Sequence, residues 1–282
     1  MLKTITVLTV QLALASVASA QSPTVTHWPP LQATTIDLTA HWERLTDTTY
    51  HFEERPVIKA LAPATPRASY ASEVFLPFLP SAPVAVGASW RVDPNAALPF
   101  LRQLHAGAST ELHHDRGTGV GARGAWACLR LLDDACMEIV VRIHGEFQID
   151  GDGSEGNASW FTPACFRCRL WIDRKKGEVA AFDLSVPPSR ANVDINLRSE
   201  HGTIADIGSV PRLQLSAGEF PAAPPTAVQI SAAEADRILE RRFYPFAQLD
   251  WLSLPDALAK SRATGKPMHI VALFGSLCDE SC

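Results

Sequence analysis

Six cysteines carry most of the reactive chemistry open to this sequence, and their spacing sorts them into three pairs. Cys278 and Cys282 stand four residues apart in "GSLCDESC", after an apolar run from Met268 to Phe274. A thiolate attacks a disulfide and a second thiol resolves the mixed disulfide that results, so a close pair suits thiol–disulfide exchange. Cys278 can resolve a bond made at Cys282, or be a thiol brought near it only by chain position. Cys165 and Cys168, in "CFRCRLWI", spell CxxC, but inside a strand residues three apart point to opposite faces. Phe166, Cys168, Leu170 and Ile172 then share a buried face, and Cys165, Arg167 and Arg169 share the other. The better reading of this pair is structural: one or both bridge to Cys128 or Cys136, or stay buried thiols. Cys128 and Cys136 flank a turn and share parity, which leaves a bridge across that hairpin open to them as well.

Other polar clusters point less strongly to chemistry. His113 and His114, in "ELHHDR" (Glu111 to Arg116), are adjacent and diverge on a strand, with no third ligand at a standard spacing, so they read as surface residues. His269 lies before the terminal cysteines and reads as a packed or rim histidine. In "DGDGSEGNASWF", Asp150, Asp152 and Ser154 have the look of a calcium loop, yet Gly153 is out of register. Position twelve would be Phe161 instead of a bidentate glutamate, so a hairpin loop is expected there and no metal. Asn157 opens a glycosylation sequon. No residue is assigned to a cofactor.

The elements that must position these groups show in the hydrophobic periodicity. From about Ser72 to Ser216 the pattern is β: "GAWACLRLLDDACMEIVVRIHGEFQI" reads as two strands about a turn near Asp133-Asp134. "CFRCRLWI" and "VAAFDLSV" flank a turn at Lys176-Gly177, and Val193, Ile195 and Leu197 alternate on one face. These predict a β-rich, largely antiparallel domain over 72–216. Residues 21–71 read as an irregular arm, with a strand or short helix around Thr39 to Tyr50. Residues 217–231, with three prolines, read as a linker. Two helices follow. Ser231 and Glu234 make a capping box for a helix whose stripe is Ala235, Ile238, Leu239 and Arg242. Ser253, Pro255, Gly265 and Pro267 punctuate a second. Helix, strand and cysteine-bearing loop in that order enter a thioredoxin-type site, where a following helix N-terminus stabilises the thiolate. The fold class expected is α+β, with 232–282 the N-terminal part of a thioredoxin-like domain cut at its redox motif.

Lys3, the apolar stretch Ile5 to Val17 and Ala18-Ser19-Ala20 before Gln21 read as a cleaved export signal, residues 1–20. The chain is expected to be periplasmic or secreted, or in the endoplasmic reticulum lumen of a eukaryote, and to meet a membrane only if that segment is retained. Cleavage leaves 262 residues, and the full sequence is 46% hydrophobic and 20% charged, which is ordinary for a globular protein. A net charge of −5 argues against nucleic acid as the main partner.

Several stretches together resemble the selenoprotein N family. They are "RIHGEFQI" (Arg142 to Ile149), "WFTPA" (Trp160 to Ala164), "NVDINL" (Asn192 to Leu197), "FYPF" (Phe243 to Phe246) and "LPDALAKSRATGKPMHIVALFGSLCDESC". They stand in the family's order, from about Leu76 to Cys282, roughly three quarters of the mature chain. That family reads Ser-Cys-selenocysteine-Gly at its site, and Ser281-Cys282 match the first two positions. The resemblance implies a thiol/selenol–disulfide oxidoreductase acting on a protein disulfide and recharged by an electron donor. Selenocysteine would immediately follow Cys282, the chain having been cut at a UGA codon read as a stop. Without that residue and its helix, the 282-residue chain is expected to be inactive. Cys278 departs from the family, which usually has aspartate there. The calcium role of vertebrate members does not carry over, given the loop at Asp150. The rival expectation is an exported binding or structural protein whose cysteines staple its β-domain and catalyse nothing.

Overall fold

Alternation of apolar and polar residues in the middle of the chain resolves into two antiparallel sheets that share one core. The computed structural model describes residues 24–25, 30–109, 125–150, 159–163, 165–187, 192–244, 249 and 251–270. The first elements are β1 (Thr24–Val25), β2 (Thr35–Trp42), α1 (Pro56–Lys59) and β3 (Arg67–Ala71). Then come β4 (Val84–Ala85), β5 (Ser89–Val92), α2 (Leu98–Leu104) and β6 (Ala108–Ser109). The central strands are β7 (Ala125–Leu132), β8 (Cys136–Ile143), β9 (Glu146–Asp150), β10 (Ser159–Pro163), β11 (Phe166–Asp173) and β12 (Glu178–Ser185). β13 (Asn192–Ser199), β14 (Gly202–Ser209), β15 (Leu213–Ala217) and β16 (Val228–Gln229) follow, then the helices α3 (Ala232–Phe243) and α4 (Leu254–Thr264).

The larger sheet runs β16-β7-β8-β11-β12-β15-β2-β3, with β5 also pairing β7, and the second runs β14-β13-β10-β9-β6. Every pairing in both is antiparallel, as the sequence led us to expect. The chain crosses between sheets at His144-Gly145, where β8 ends in one and β9 begins in the other. Leu38, Ile139, Val141, Phe166, Leu170 and Leu215 of the first sheet meet Phe147, Phe161, Val193 and Ile195 of the second in one continuous core. Each such side chain contributes roughly 1.5–3 kcal/mol over leaving it in water. Gly177 turns β11 into β12 at φ 67°, a conformation glycine adopts without a Cβ penalty.

Three stretches differ from the expectation or extend it. Residues 30–71, read as an irregular arm, supply β2 to the interior of the larger sheet between β15 and β3. Leu38 there is fully buried. Its neighbours Thr35, Asp37 and Thr39 dilute the apolar signal, which is why the strand reads weakly. The stretch read as a linker lies on the sheet: Phe220, Ala223 and Ala227 pack over Leu131, Cys136, Trp171 and Ala181, and β16 pairs with β7. α3 covers the adjoining part of that face, where Ala235 and Leu239 pack on Cys128 and Val140. The larger sheet is thus covered on both faces, and β8 is buried along all eight residues.

Candidate functional site

α4 and the stretch after it lead toward the predicted redox motif. Ser253 caps α4, its Oγ accepting from the Asp256 N–H at 3.3 Å and donating to the Asp256 carboxylate at 2.6 Å. Pro255 sits in the first turn, and Gly265 closes the helix at φ 68° with its N–H donated to the Ser261 carbonyl. These are the caps read from the sequence. Ser261 Oγ then donates to the Lys266 carbonyl at 2.6 Å and turns the chain back along the helix. The expected β run from Met268 to Phe274 is not a strand as far as Ile270. A strand needs a partner ladder, and none of the described strands pairs with 266–270. Its remainder, with Cys278, Ser281 and Cys282, lies outside the described residues, as do His113, His114 and Asn157. His269 is exposed on the wall of a groove beside α4.

The other four cysteines are buried thiols, the second of the two outcomes left open by the sequence, and they form no staple. Among the described residues there is no disulfide. Register rules out the hairpin bridge: Cys128 sits opposite Val140, Cys136 opposite Asp173, and a bulge intervenes between Leu129 and Leu131. Cys128 packs under α3 while Cys136 packs under Phe220 and its neighbours, in separate clusters of that face. The two-face reading of β11 holds. Phe166, Cys168, Leu170 and Ile172 lie in the core, whereas Arg167 pairs with Asp236 of α3 and Arg169 with Glu138. Cys168 therefore faces away from Cys165, which lines a small cavity with Arg142, Arg167, Asp236 and Leu239. Burial pushes the Cys128 thiol up to about 12, helped by the Glu234 carboxylate. It raises Cys168 well above the usual thiol range, with Asp183 adding to it, and raises Cys136, with Asp133 adding to it. These thiols hold their protons and are poor nucleophiles.

Asp150 and Phe161 both serve the second sheet. Asp150 accepts the Ser159 N–H at 2.7 Å, and Phe161 is fully buried against Phe147 and Trp42. The loop between them, residues 151–158, joins two paired strands and lies outside the described residues. Among the described residues no group of three or more His, Cys, Asp or Glu side chains could hold a metal ion. None of the described helices is long and apolar enough to cross a membrane.

Two buried polar clusters were missed. Glu138, wholly buried, accepts from Arg130 and Arg169, whose guanidinium lies 3.9 Å from the Phe220 ring centroid. Arg130 also donates to the Ile230 carbonyl at 3.2 Å, so one carboxylate ties 218–231 to the sheet. Arg142, nearly buried, donates to His144 Nε2 at 2.9 Å and lies over the rings of Phe243 and Tyr244. His144 stacks on Phe243 with centroids 4.3 Å apart. A signal existed: Glu138, Arg142 and His144 all fall on even positions of an otherwise apolar strand, the face that meets α3.

The sequence that builds this two-sheet scaffold and its helical extension is similar to that of selenoprotein N. The chain is similar to human selenoprotein N, 28% identical over 271 aligned positions that cover 78% of this chain and 46% of that protein. It is similarly related to selenoprotein N of the mouse (28%, covering 78% and 48%) and of the zebrafish Danio rerio (29%, covering 76% and 47%). The chain spans about half the length of the curated relatives it matches. No family model matches it, and no solved structure matches it.

Proposed function

We propose that this protein is an exported thiol/selenol–disulfide oxidoreductase of the selenoprotein N kind, with Cys282 the thiol that precedes a selenocysteine. The observation that carries this reading is the similarity to selenoprotein N along more than three quarters of the chain, together with Ser281-Cys282 at its redox motif. The capped helix α4 ahead of Cys278 and Cys282 suits a thioredoxin-like entry to such a site. In the proposed step a selenolate attacks a substrate disulfide, forming a selenium–sulfur bond and releasing one substrate thiolate. The Cys282 thiolate then displaces the second substrate thiolate and closes a Cys282–selenium bridge. Two electrons have passed to the substrate, and an external dithiol donor returns the bridge to its reduced form. Cys278 can relay that last exchange. Cys128, Cys136 and Cys168 of the β-rich part take no part in this scheme, since burial keeps them protonated.

The deciding experiment reads the nucleotides after codon 282. The proposal expects UGA, followed in frame by glycine and an amphipathic helix. An ochre or amber codon with no coding potential beyond it would sink the proposal. Export is tested separately by N-terminal sequencing of the cell-derived protein, which should begin at Gln21.

A further inference from the structure

Eleven large apolar side chains are exposed among the described residues, and six of them fall between 249 and 270: Leu249, Trp251, Leu252, Leu254, Leu258 and Ile270. Such clustering marks an interaction surface, whereas scattered apolar residues do not. Trp251 and Leu252, ahead of α4, and Pro267 and Met268, behind it, flank a groove of about 290 Å³ along the helix. The space suits a few side chains of a polypeptide, and it is too open for a small enclosed ligand. Its charge is one-sided. Lys260 and Lys266 line it, and none of the described residues lining it is acidic. Asp256, the acid of α4, is engaged at the helix cap by Ser253. In a chain of net charge −5 that basic wall stands out.

We infer that this groove is a docking site for an acidic, apolar segment of a partner polypeptide, whose large side chains fill it and whose carboxylates meet Lys260 and Lys266. The inference rests on the redox reading for its purpose and deepens it by naming the class of substrate. Cys278 lies nine residues and Cys282 thirteen residues beyond His269, spans of at most roughly 30 Å and 45 Å of chain. A segment held in the groove therefore brings its flanking residues within reach of the thiol pair. Apolar contact supplies affinity, and the lysines supply selection and encounter rate.

The test uses the full 282-residue chain and three fluorescein-labelled, cysteine-free probes, DLFEDLFE, SLFSSLFS and KLFKKLFK, read by fluorescence anisotropy at low salt. The acidic probe should bind at least about tenfold tighter than the neutral one, and the basic probe weakest. The Lys260→Glu/Lys266→Glu double variant, altered only at exposed positions, should reverse the order, and Leu252→Asp should weaken all three. Circular dichroism checks that each variant is folded. Equal binding of the three probes, an order unchanged by charge reversal, or no binding at all overturns the proposal. Binding to phosphatidylglycerol vesicles in place of the peptides also overturns it, since the groove would then face a membrane. No probe carries sulfur, so the codon after 282 can defeat the redox reading while docking stands, and the reverse.

Discussion

Cys128 and Cys168 show how little a cysteine's type reveals before its surroundings are known. Each is fully buried, and desolvation disfavours the thiolate that would react. Brief alkylation of the native protein with iodoacetamide at pH 8, followed by peptide mapping, should leave Cys128, Cys136 and Cys168 unmodified. All three should label after denaturation, and native labelling of Cys128 or Cys168 would contradict the packing described. His105 gives a second residue-scale prediction. Its half-buried ring accepts the Gly107 N–H at Nδ1 and lies edge-on to Trp42 and Phe147, and burial lowers its pKa. The folded protein thus resists a proton that the unfolded chain accepts at about 6.5. Its contribution to stability is complete above that value and is lost as pH falls below it, toward the lowered folded value. The thermal midpoint should decline from about pH 7 to pH 5 more steeply in the native protein than in His105→Asn, which keeps an acceptor but cannot titrate. Equal slopes would remove His105 as the cause.

The elements were legible where a single period governs them and obscure where two surfaces compete for one strand. β13 shows Val193, Ile195 and Leu197 on one face because its other face is largely polar, so the alternation survives in the sequence. α3 and α4 announced themselves through Ser231, Ser253 and Gly265, since unsatisfied helix ends demand particular residues. β8 was legible as a strand, but the burial of both its faces was not. It meets the core on one face and α3 on the other, and buried Glu138, Arg142 and His144 look from sequence like solvent-facing residues. The proline-rich 217–231 stretch has no period at all, so nothing local reveals that Phe220 and Ala227 pack on the sheet. The cysteine pair Cys278 and Cys282 lies outside the described residues, so only its spacing enters the proposal. Glu138 is the element-scale test of these contacts. Glu138→Ala leaves Arg130, mostly buried, without its counter-ion, and should destabilise the protein by roughly 3 kcal/mol in urea unfolding. Arg169 is about a third exposed, so water can replace its share of the pair. The 218–231 segment should also become sensitive to limited proteolysis. A change under about 0.5 kcal/mol would show that the network does not hold the segment.

At the scale of the whole molecule, stability and proposed chemistry sit in different places. One core spans both sheets, so local opening of β8 or β11 would expose groups from each sheet at once. α4 has no buried residue and makes no extensive contact with any other described element. Its Ser253 and Gly265 caps favour the helix, but eleven residues are marginal for an isolated helix in water. The molecule should therefore open at two levels of free energy, which native-state hydrogen exchange separates. Amides of β8 and β11 should exchange only through global unfolding, with protection that falls as urea rises at the global slope. Those of α4 should exchange orders of magnitude faster and with little dependence on urea, in a local event. Adding the acidic probe DLFEDLFE should slow exchange in α4 alone, because a ligand held in the groove stabilises the state that binds it. If α4 exchanges as slowly as β8 in the free chain, the helix is bound into the core and cannot respond to docking independently. A low-stability helix beside a rigid double sheet is what a docking element needs: it can adjust to a bound segment without disturbing the scaffold that presents it.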